Sequence, residues 1–444
     1  MSSVRLRASA AGALKGEVQV PGDKSLSHRS LMLAAMTVGE TKISGLLESG
    51  DVMATRSALG DLGVDIAKDE DGDWRVHGVG IGGLSEPDGV LDLGNAGTGA
   101  RLLCGLLAGQ PFTTFMTGDA SLRRRPMGRV TRPLAEMGAR VLAKSGERLP
   151  LALTGRTDLT PIRYEQPNAS AQVKSALLLA GLHAPGRTTV IEPAPSRDHT
   201  ERMLLHLGAK VETEPLDDGR LSVSVAGQPE LSARDLSVPG DPSSAAFLLV
   251  AAALSPGSDT RIDNVGVNAL RTGLLPCLDE MGVSLERGNG EMISGEPVSW
   301  LNVAHGALNA IDVPPERAPS MIDEYPILAM AAACARGKTR LNGLGELKVK
   351  ESDRFAAIAD GLEAAGVRVE RGEDSLVIEG CDGPPAGGCT IDAQHDHRIA
   401  MSFLILGSIT RKPIEVTGAE TIDTSFPGFA ELMNGLGARI EAIT

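Results

Sequence analysis

Leu207-Gly208-Ala209-Lys210-Val211 joins two different apolar periods. Before it, apolar residues recur at helical spacing, at Met203, Leu204 and Leu207; after it the pattern alternates. The glycine between the two periods is expected to take the left-handed conformation that closes a helix. A helix, a glycine and a strand should therefore follow one another. A single match of this kind is common in α/β proteins. Here it recurs at Leu62-Gly63-Val64-Asp65-Ile66, Met137-Gly138-Ala139-Arg140-Val141, Met281-Gly282-Val283-Ser284-Leu285, Ala365-Gly366-Val367-Arg368-Val369 and Leu436-Gly437-Ala438-Arg439-Ile440. The copies lie roughly 70–85 residues apart, longer than the common solenoid periods. Six copies predict a sixfold-repeated α/β unit.

A second repeat splits the six into three and three. Val20-Pro21-Gly22-Asp23-Lys24-Ser25 resembles Val238-Pro239-Gly240-Asp241-Pro242-Ser243. Each follows an extended segment and precedes a helical run, Leu31 to Met36 and Ala245 to Ala253. Pro-Gly-Asp is turn chemistry, and Asp or Ser suits a helix N-cap. Crossovers between two lobes are expected near 20–22 and 238–241. One lobe should cover 21–240. The other should cover 1–20, with its strand Glu17 to Val20, together with 241–444. The 444 residues also suit two cores better than one.

Composition narrows the partners. Hydrophobic residues make up 42% and charged residues 23%, an ordinary globular balance. Aromatics are only 2%, and the net charge is −14. A nucleic-acid partner would call for a basic excess and stacking aromatics, so none is expected. The apolar runs are too short to span a membrane, and no long apolar stretch follows Arg5 and Arg7 to suggest a signal peptide. Cys104, Cys277, Cys334, Cys381 and Cys389 are odd in number and scattered, as expected of free thiols in a reducing compartment such as the cytoplasm.

An acidic chain can still hold anions if its cations are gathered locally. Five segments place basic residues in turns or helix starts. Lys24, Ser25 and Arg29 follow the first Pro-Gly-Asp, where free backbone N–H groups favour anions. Leu93-Gly94-Asn95-Ala96-Gly97-Thr98-Gly99-Ala100-Arg101 is a glycine-rich turn that lets a ligand approach the backbone; it is neither a Walker motif nor a dinucleotide fingerprint. In Arg123-Arg124-Arg125-Pro126 the proline biases Arg125 towards an extended backbone that would aim one guanidinium inward. In Lys350-Glu351-Ser352-Asp353-Arg354, a helix start would put Lys350 and Arg354 on one face. His395-Asp396-His397-Arg398 reads as a helix start aiming Arg398 rather than as a zinc site, since no further ligands cluster with it. Asp323, in Ser320-Met321-Ile322-Asp323-Glu324-Tyr325-Pro326, is a carboxylate in an otherwise apolar run and a candidate base.

Taken in order, PGDKSLSHRS, LGNAGTGARLL, GDASLRRRPMGR, NASAQVKSALLLAGL, APSMIDEYPILA, KVKESDRF and DHRIAMSF span nearly the whole chain. Together they resemble the 5-enolpyruvylshikimate-3-phosphate synthases, the 3-phosphoshikimate 1-carboxyvinyltransferases. The resemblance implies two lobes, each of three βαβαββ units in an inside-out α/β arrangement. It implies transfer of the enolpyruvyl group of phosphoenolpyruvate to the 5-hydroxyl of shikimate 3-phosphate, with release of phosphate, in aromatic amino-acid biosynthesis. By the same resemblance Lys24, Gly97, Arg125, Gln172, Arg354 and Arg398 would hold phosphoenolpyruvate. Lys24, Ser25, Arg29, Ser170, Gln172, Asp323 and Lys350 would hold shikimate 3-phosphate. Asp323 would take the hydroxyl proton, and Glu351, helped by Lys24, would protonate the methylene carbon. Gly97 would lie where the family meets glyphosate. No cofactor and no metal are implied, and a monomer is expected, with the cations of both lobes meeting in a cleft.

Two departures from the enteric-type pattern stand out. Ser170-Ala171-Gln172 has one serine where those sequences have two, and Thr424-Ser425-Phe426-Pro427 lacks their lysine. Arg197 is a candidate replacement for the lost phosphate contact. Three other readings compete within the fold. A sister transferase acting on UDP-N-acetylglucosamine would need a loop cysteine, which Asp119 to Met127 lacks. An RNA 3′-phosphate cyclase fits neither the acidic charge nor the scarcity of aromatics. A non-catalytic anion binder would need neither Asp323 nor Glu351.

Overall fold

The computed structural model describes residues 4–443. All six repeat glycines have positive φ: +88° at Gly63, +112° at Gly138, +97° at Gly208, +90° at Gly282, +87° at Gly366 and +118° at Gly437. Each follows a helix and precedes a strand. Helices Gly50–Asp61, Gly128–Glu136, His199–His206, Leu274–Met281, Arg354–Ala364 and Phe429–Leu436 lead into strands Asp65–Lys68, Arg140–Lys144, Val211–Pro215, Ser284–Arg287, Arg368–Arg371 and Ile440–Ile443. A side chain with a β-carbon is strained at such φ, so the glycine fixes where the helical period ends.

Each of those strands is the edge of its own sheet, and the six sheets share one plan. A parallel pair is followed by two antiparallel pairs, the last made by the post-glycine strand. Strand Arg187–Glu192, for example, lies parallel to Arg163–Glu165 and antiparallel to Leu221–Ala226, which pairs with Val211–Pro215. Three sheets borrow strands from distant sequence. Lys15–Gln19 lies parallel to Asp259–Gly266, and Leu236–Ser237 lies parallel to Val38–Ser44. The sixth sheet takes its third strand, Arg5–Ala8, from the start of the chain.

The chain divides into two compact units. One comprises residues up to Pro21 with Pro239–Glu291 and Pro297–Thr444; the other comprises Gly22–Val238 with Met292–Glu296. The short segment Met292–Glu296 groups with the second unit although it lies far from 21–240 in sequence. That departs from the lobe boundaries expected from the two Pro-Gly-Asp turns. Its physical reason is local: Ser294 Oγ accepts from Ser237 N at 2.9 Å and Glu296 Oε1 lies 2.8 Å from His199 Nδ1.

Each unit has its own apolar core. In Gly22–Val238 three central helices fill it: α1 (Lys24–Ala35), α2 (Gly97–Ala108) and α3 (Ala171–Gly181). In the other unit they are α4 (Pro242–Leu254), α5 (Tyr325–Cys334) and α6 (His397–Gly407). Every residue of α5 and α6 is buried, and so is every residue of α4 after Pro242. A helix apolar on all sides belongs inside. The sheets cover the helices and keep one wet face, as in Arg148–Thr154, where exposed or half-exposed residues alternate with Leu149, Leu151 and Leu153. Ala and Gly let the helices approach closely. A β-carbon at Gly105 of α2 would lie 2.2 Å from the carbonyl oxygen of Ala176 in α3. No helix of the described residues is long and apolar enough to cross a membrane.

Candidate active site

The central helices begin where the sequence places caps. Asp23 accepts from Leu26 N at 2.8 Å, Asp241 from Ser243 N at 2.7 Å and Asp396 from Arg398 N at 3.0 Å. Ser170 caps α3, accepting from Val173 N at 3.5 Å. Proline stands in the first turn of α4 and α5, where its missing N–H costs nothing. Each unit thus brings free N–H groups and polar side chains to the starts of three buried helices, which favours anions there.

In Gly22–Val238 the start of α1 carries Lys24, whose ammonium lies 2.6 Å from Asp51 Oδ2. Arg29, on the same helix, is buried. It donates to Thr200 Oγ1 and Ser175 Oγ, both at 2.8 Å, and to the carbonyl of Ser25 at 2.9 Å. Burial lowers its pKa to about 10, with the charge of Arg197 acting in the same direction. His28, between the two cations in sequence, is fully buried, and burial followed by Lys24 and Arg29 lowers its pKa to about 3.

The starts of α2 and α3 form a second group. A β-carbon at Gly97 would lie 2.6 Å from Arg125 Nη1 and 3.0 Å from Arg101 Nη1. Of the three successive arginines, Arg123 and Arg124 are exposed and Arg125 alone is buried. Arg125 has the extended backbone, φ −77° and ψ 139°, expected before Pro126, and it donates to Asn95 Oδ1 at 3.1 Å. Gln172 is held by its neighbours: its amide donates to Thr98 Oγ1 at 3.0 Å and its carbonyl accepts from Arg101 Nη1 at 3.1 Å. These contacts fix which way the amide faces.

The other unit gathers acids and cations on Arg354. Its side chain is 1% exposed. Nη1 lies 3.0 Å from Asp323, Nη2 lies 2.7 Å from Glu351, and Nε lies 2.7 Å from Asp396. Burial works against the charge, but Asp396, Glu351 and Asp323 together hold the pKa above its ordinary value. Lys350 Nζ lies 3.4 Å from Asp323. Arg398 donates to the Asp323 carbonyl at 3.1 Å, to Ser243 Oγ at 3.2 Å and to Glu324 at 3.3 Å.

One local expectation is corrected. Lys350 and Glu351 are not on a helix with Arg354: they follow a 3₁₀ turn, Gly345–Val349, and the helix begins at Arg354 itself. Asp353 sets that start by accepting from Ala356 N at 3.0 Å. Asp323 lies outside α5, and its carboxylate is turned to Arg354 and Lys350. His395 is exposed with φ +60°, whereas His397 is buried, so their side chains part.

Several contributors carried no sequence signal strong enough to single them out. Arg271 binds Asp241 at 3.0 Å and Glu324 at 3.1 Å and so ties the starts of α4 and α5. Asp51, Thr98, Asp396 and Lys174 are similar omissions. Asp241 was legible as a cap, but its ion pair with Arg271 was not.

The family model described as EPSP synthase (3-phosphoshikimate 1-carboxyvinyltransferase) matches residues 9–433. The 3-phosphoshikimate 1-carboxyvinyltransferase of Paramagnetospirillum magneticum is 56% identical over 430 residues, 97% of this chain and 96% of that protein. The one from Granulibacter bethesdensis is 57% identical over 422 residues, 95% of this chain and 93% of that protein. A solved EPSP synthase from Acinetobacter baumannii aligns with a TM-score of 0.88 at 44% identity, over 99% of this chain and 100% of that one. The enolpyruvyl transferase NikO from Streptomyces tendae aligns with a TM-score of 0.79 at 18% identity over the full length of both chains, a likeness of fold alone. The chain belongs to the EPSP synthase (3-phosphoshikimate 1-carboxyvinyltransferase) family.

Proposed function

We propose that this chain transfers the enolpyruvyl group of phosphoenolpyruvate to the 5-hydroxyl of shikimate 3-phosphate and releases phosphate. The observation that carries the division of labour is the pair of acids on one buried guanidinium: Asp323 and Glu351 on Arg354. An anion trap alone would not place carboxylates among its cations.

Lys24, Ser25, Arg29, Ser170, Gln172 and Lys350 bind shikimate 3-phosphate, and Arg197 supplies a further cation beside Arg29. Lys24, Gly97, Arg125, Gln172, Arg354 and Arg398 bind phosphoenolpyruvate. Arginine suits this task because its planar fork meets carboxylate and phosphate oxygens two at a time. The missing β-carbon of Gly97 leaves room beside Arg125.

Asp323 accepts the proton of the 5-hydroxyl as that oxygen attacks the substituted carbon of phosphoenolpyruvate. Glu351, assisted by Lys24, protonates the methylene carbon, which becomes a methyl group. The tetrahedral adduct then loses phosphate while the methyl group gives back a proton, and a vinyl ether results. Acid and base each contribute most when held within reach of the atom they serve. The surrounding arginines stabilise charge as it shifts to the departing phosphate.

Protonation at carbon leaves a trace. In deuterium oxide the methyl group of the adduct holds one solvent deuteron among three hydrogens, and any of the three can leave. Deuterium should therefore appear at the vinyl position of the product, read by NMR. Glu351→Gln should suppress both turnover and this exchange. A product formed at normal rate without deuterium would overturn the proposed sequence.

A further inference from the structure

Lys174 takes no part in the chemistry above, yet its side chain is fully buried in the unit Gly22–Val238. It lies on α3, four residues after the cap Ser170 and two after Gln172. Its ammonium is 2.7 Å from both Glu192 and Glu201 and 3.3 Å from the carbonyl oxygen of Ser196. A buried ammonium is retained only where such partners satisfy it.

The three contacts go to three places. Glu192 ends the strand Arg187–Glu192, Glu201 lies in the first turn of the helix His199–His206, and Ser196 belongs to the connection between them. Ser196 is doubly held, because its hydroxyl also donates to Glu192. The next residue is Arg197. Thr200, beside Glu201, accepts from Arg29 Nε at 2.8 Å and donates to Ser175 Oγ at 2.7 Å. Ser175 adjoins Lys174 and accepts from Arg29 Nη2 at 2.8 Å. Lys174 therefore pins the backbone that carries Arg197 and the helix start that carries the hydroxyl partner of Arg29.

We infer that Lys174 is a positioning residue for shikimate 3-phosphate, presetting Arg29 and Arg197 from behind through Glu192, Glu201 and Ser196. The inference rests on the proposed role of Arg29. Without the lysine, each guanidinium would have to be ordered by the substrate at the expense of binding.

Lys174→Met combined with Glu192→Gln and Glu201→Gln removes the network; the buried Arg29 loses the charge of Glu201 but keeps those of Asp23 and Glu296. The expected result is a KM for shikimate 3-phosphate raised about tenfold or more, with kcat and the KM for phosphoenolpyruvate changed less than about threefold. Calorimetry should show the same loss for shikimate 3-phosphate alone. Should that variant not fold, Glu201→Gln keeps a balanced Lys174–Glu192 pair and should weaken shikimate 3-phosphate binding in the same selective way. A folded variant with unchanged shikimate 3-phosphate affinity, or one in which kcat and both KM values worsen together, overturns the inference. Arg29→Ala separates the two layers. If it leaves shikimate 3-phosphate binding intact, the assignment of Arg29 is what fails.

Discussion

Asp323 and Glu351 share one guanidinium: Arg354 holds the first at 3.0 Å through Nη1 and the second at 2.7 Å through Nη2. The proposed base and the proposed acid are thus fixed relative to each other by a side chain that cannot lose its proton. In the proposed mechanism, this relationship turns a set of cations into a site for proton transfer.

Asp323→Ala should separate chemistry from binding. The variant leaves Arg354 with Glu351 and Asp396, so no charge is stranded. Turnover should fall by roughly 10²–10⁴-fold, the usual worth of a positioned base. Affinity for shikimate 3-phosphate, measured by calorimetry, should hardly change. A large loss of affinity would make Asp323 a binding residue and not the base.

Gly97→Ala should disturb one substrate and its mimic. The new methyl group would press on Arg125 Nη1 at 2.6 Å, so that guanidinium must move. The KM for phosphoenolpyruvate should rise and inhibition by glyphosate should weaken, with the KM for shikimate 3-phosphate little affected. Unchanged inhibition would refute the placement of Gly97.

Arg354→Met should destabilise the fold as well as abolish activity. It leaves Asp396, fully buried, without its strongest partner. Breaking a buried pair from one side typically costs about 3–5 kcal/mol. Arg132→Met, at an exposed and solvent-screened pair with Glu147, should cost far less. Urea unfolding of the two variants measures the contrast, and equal losses would contradict it.

Stability should fall on mild acidification, and His28 should be one cause. Its ordinary pKa is 6.5, and burial lowers it to about 3 in the folded chain. Its Nδ1 lies 2.8 Å from Thr55 Oγ1, and its Nε2 has no partner among the described residues. Between those two values the unfolded chain takes up a proton that the folded chain refuses. The contribution is complete above pH 6.5 and is lost as the pH falls towards 3. His183, lowered to about 4 by burial, adds in the same sense. The urea midpoint of His28→Asn should therefore drop less between pH 7 and pH 5 than that of the unsubstituted chain. Parallel drops would contradict this reading.

The repeat was legible because glycine and periodicity are local. Six helix–glycine–strand passages can be read from short windows, and all six glycines have positive φ. The inward turn of Arg125 was legible for the same reason, since proline constrains only its neighbour. What could not be read were contacts made across the sequence. Nothing near Arg271 announces Asp241 and Glu324, and nothing in VKSALLLAGL marks Lys174 as the centre of a buried network. The start of the helix at Arg354 was misplaced because Lys350 and Glu351 suit a helix by composition. The cap at Asp353 decided otherwise.

Transfer of the enolpyruvyl group is read most directly as phosphate release from phosphoenolpyruvate by the purified chain. Release should require shikimate 3-phosphate, proceed to an enolpyruvyl ether in equal amount, and be largely lost in Asp323→Ala and Glu351→Gln. No phosphate release with both substrates saturating would contradict it.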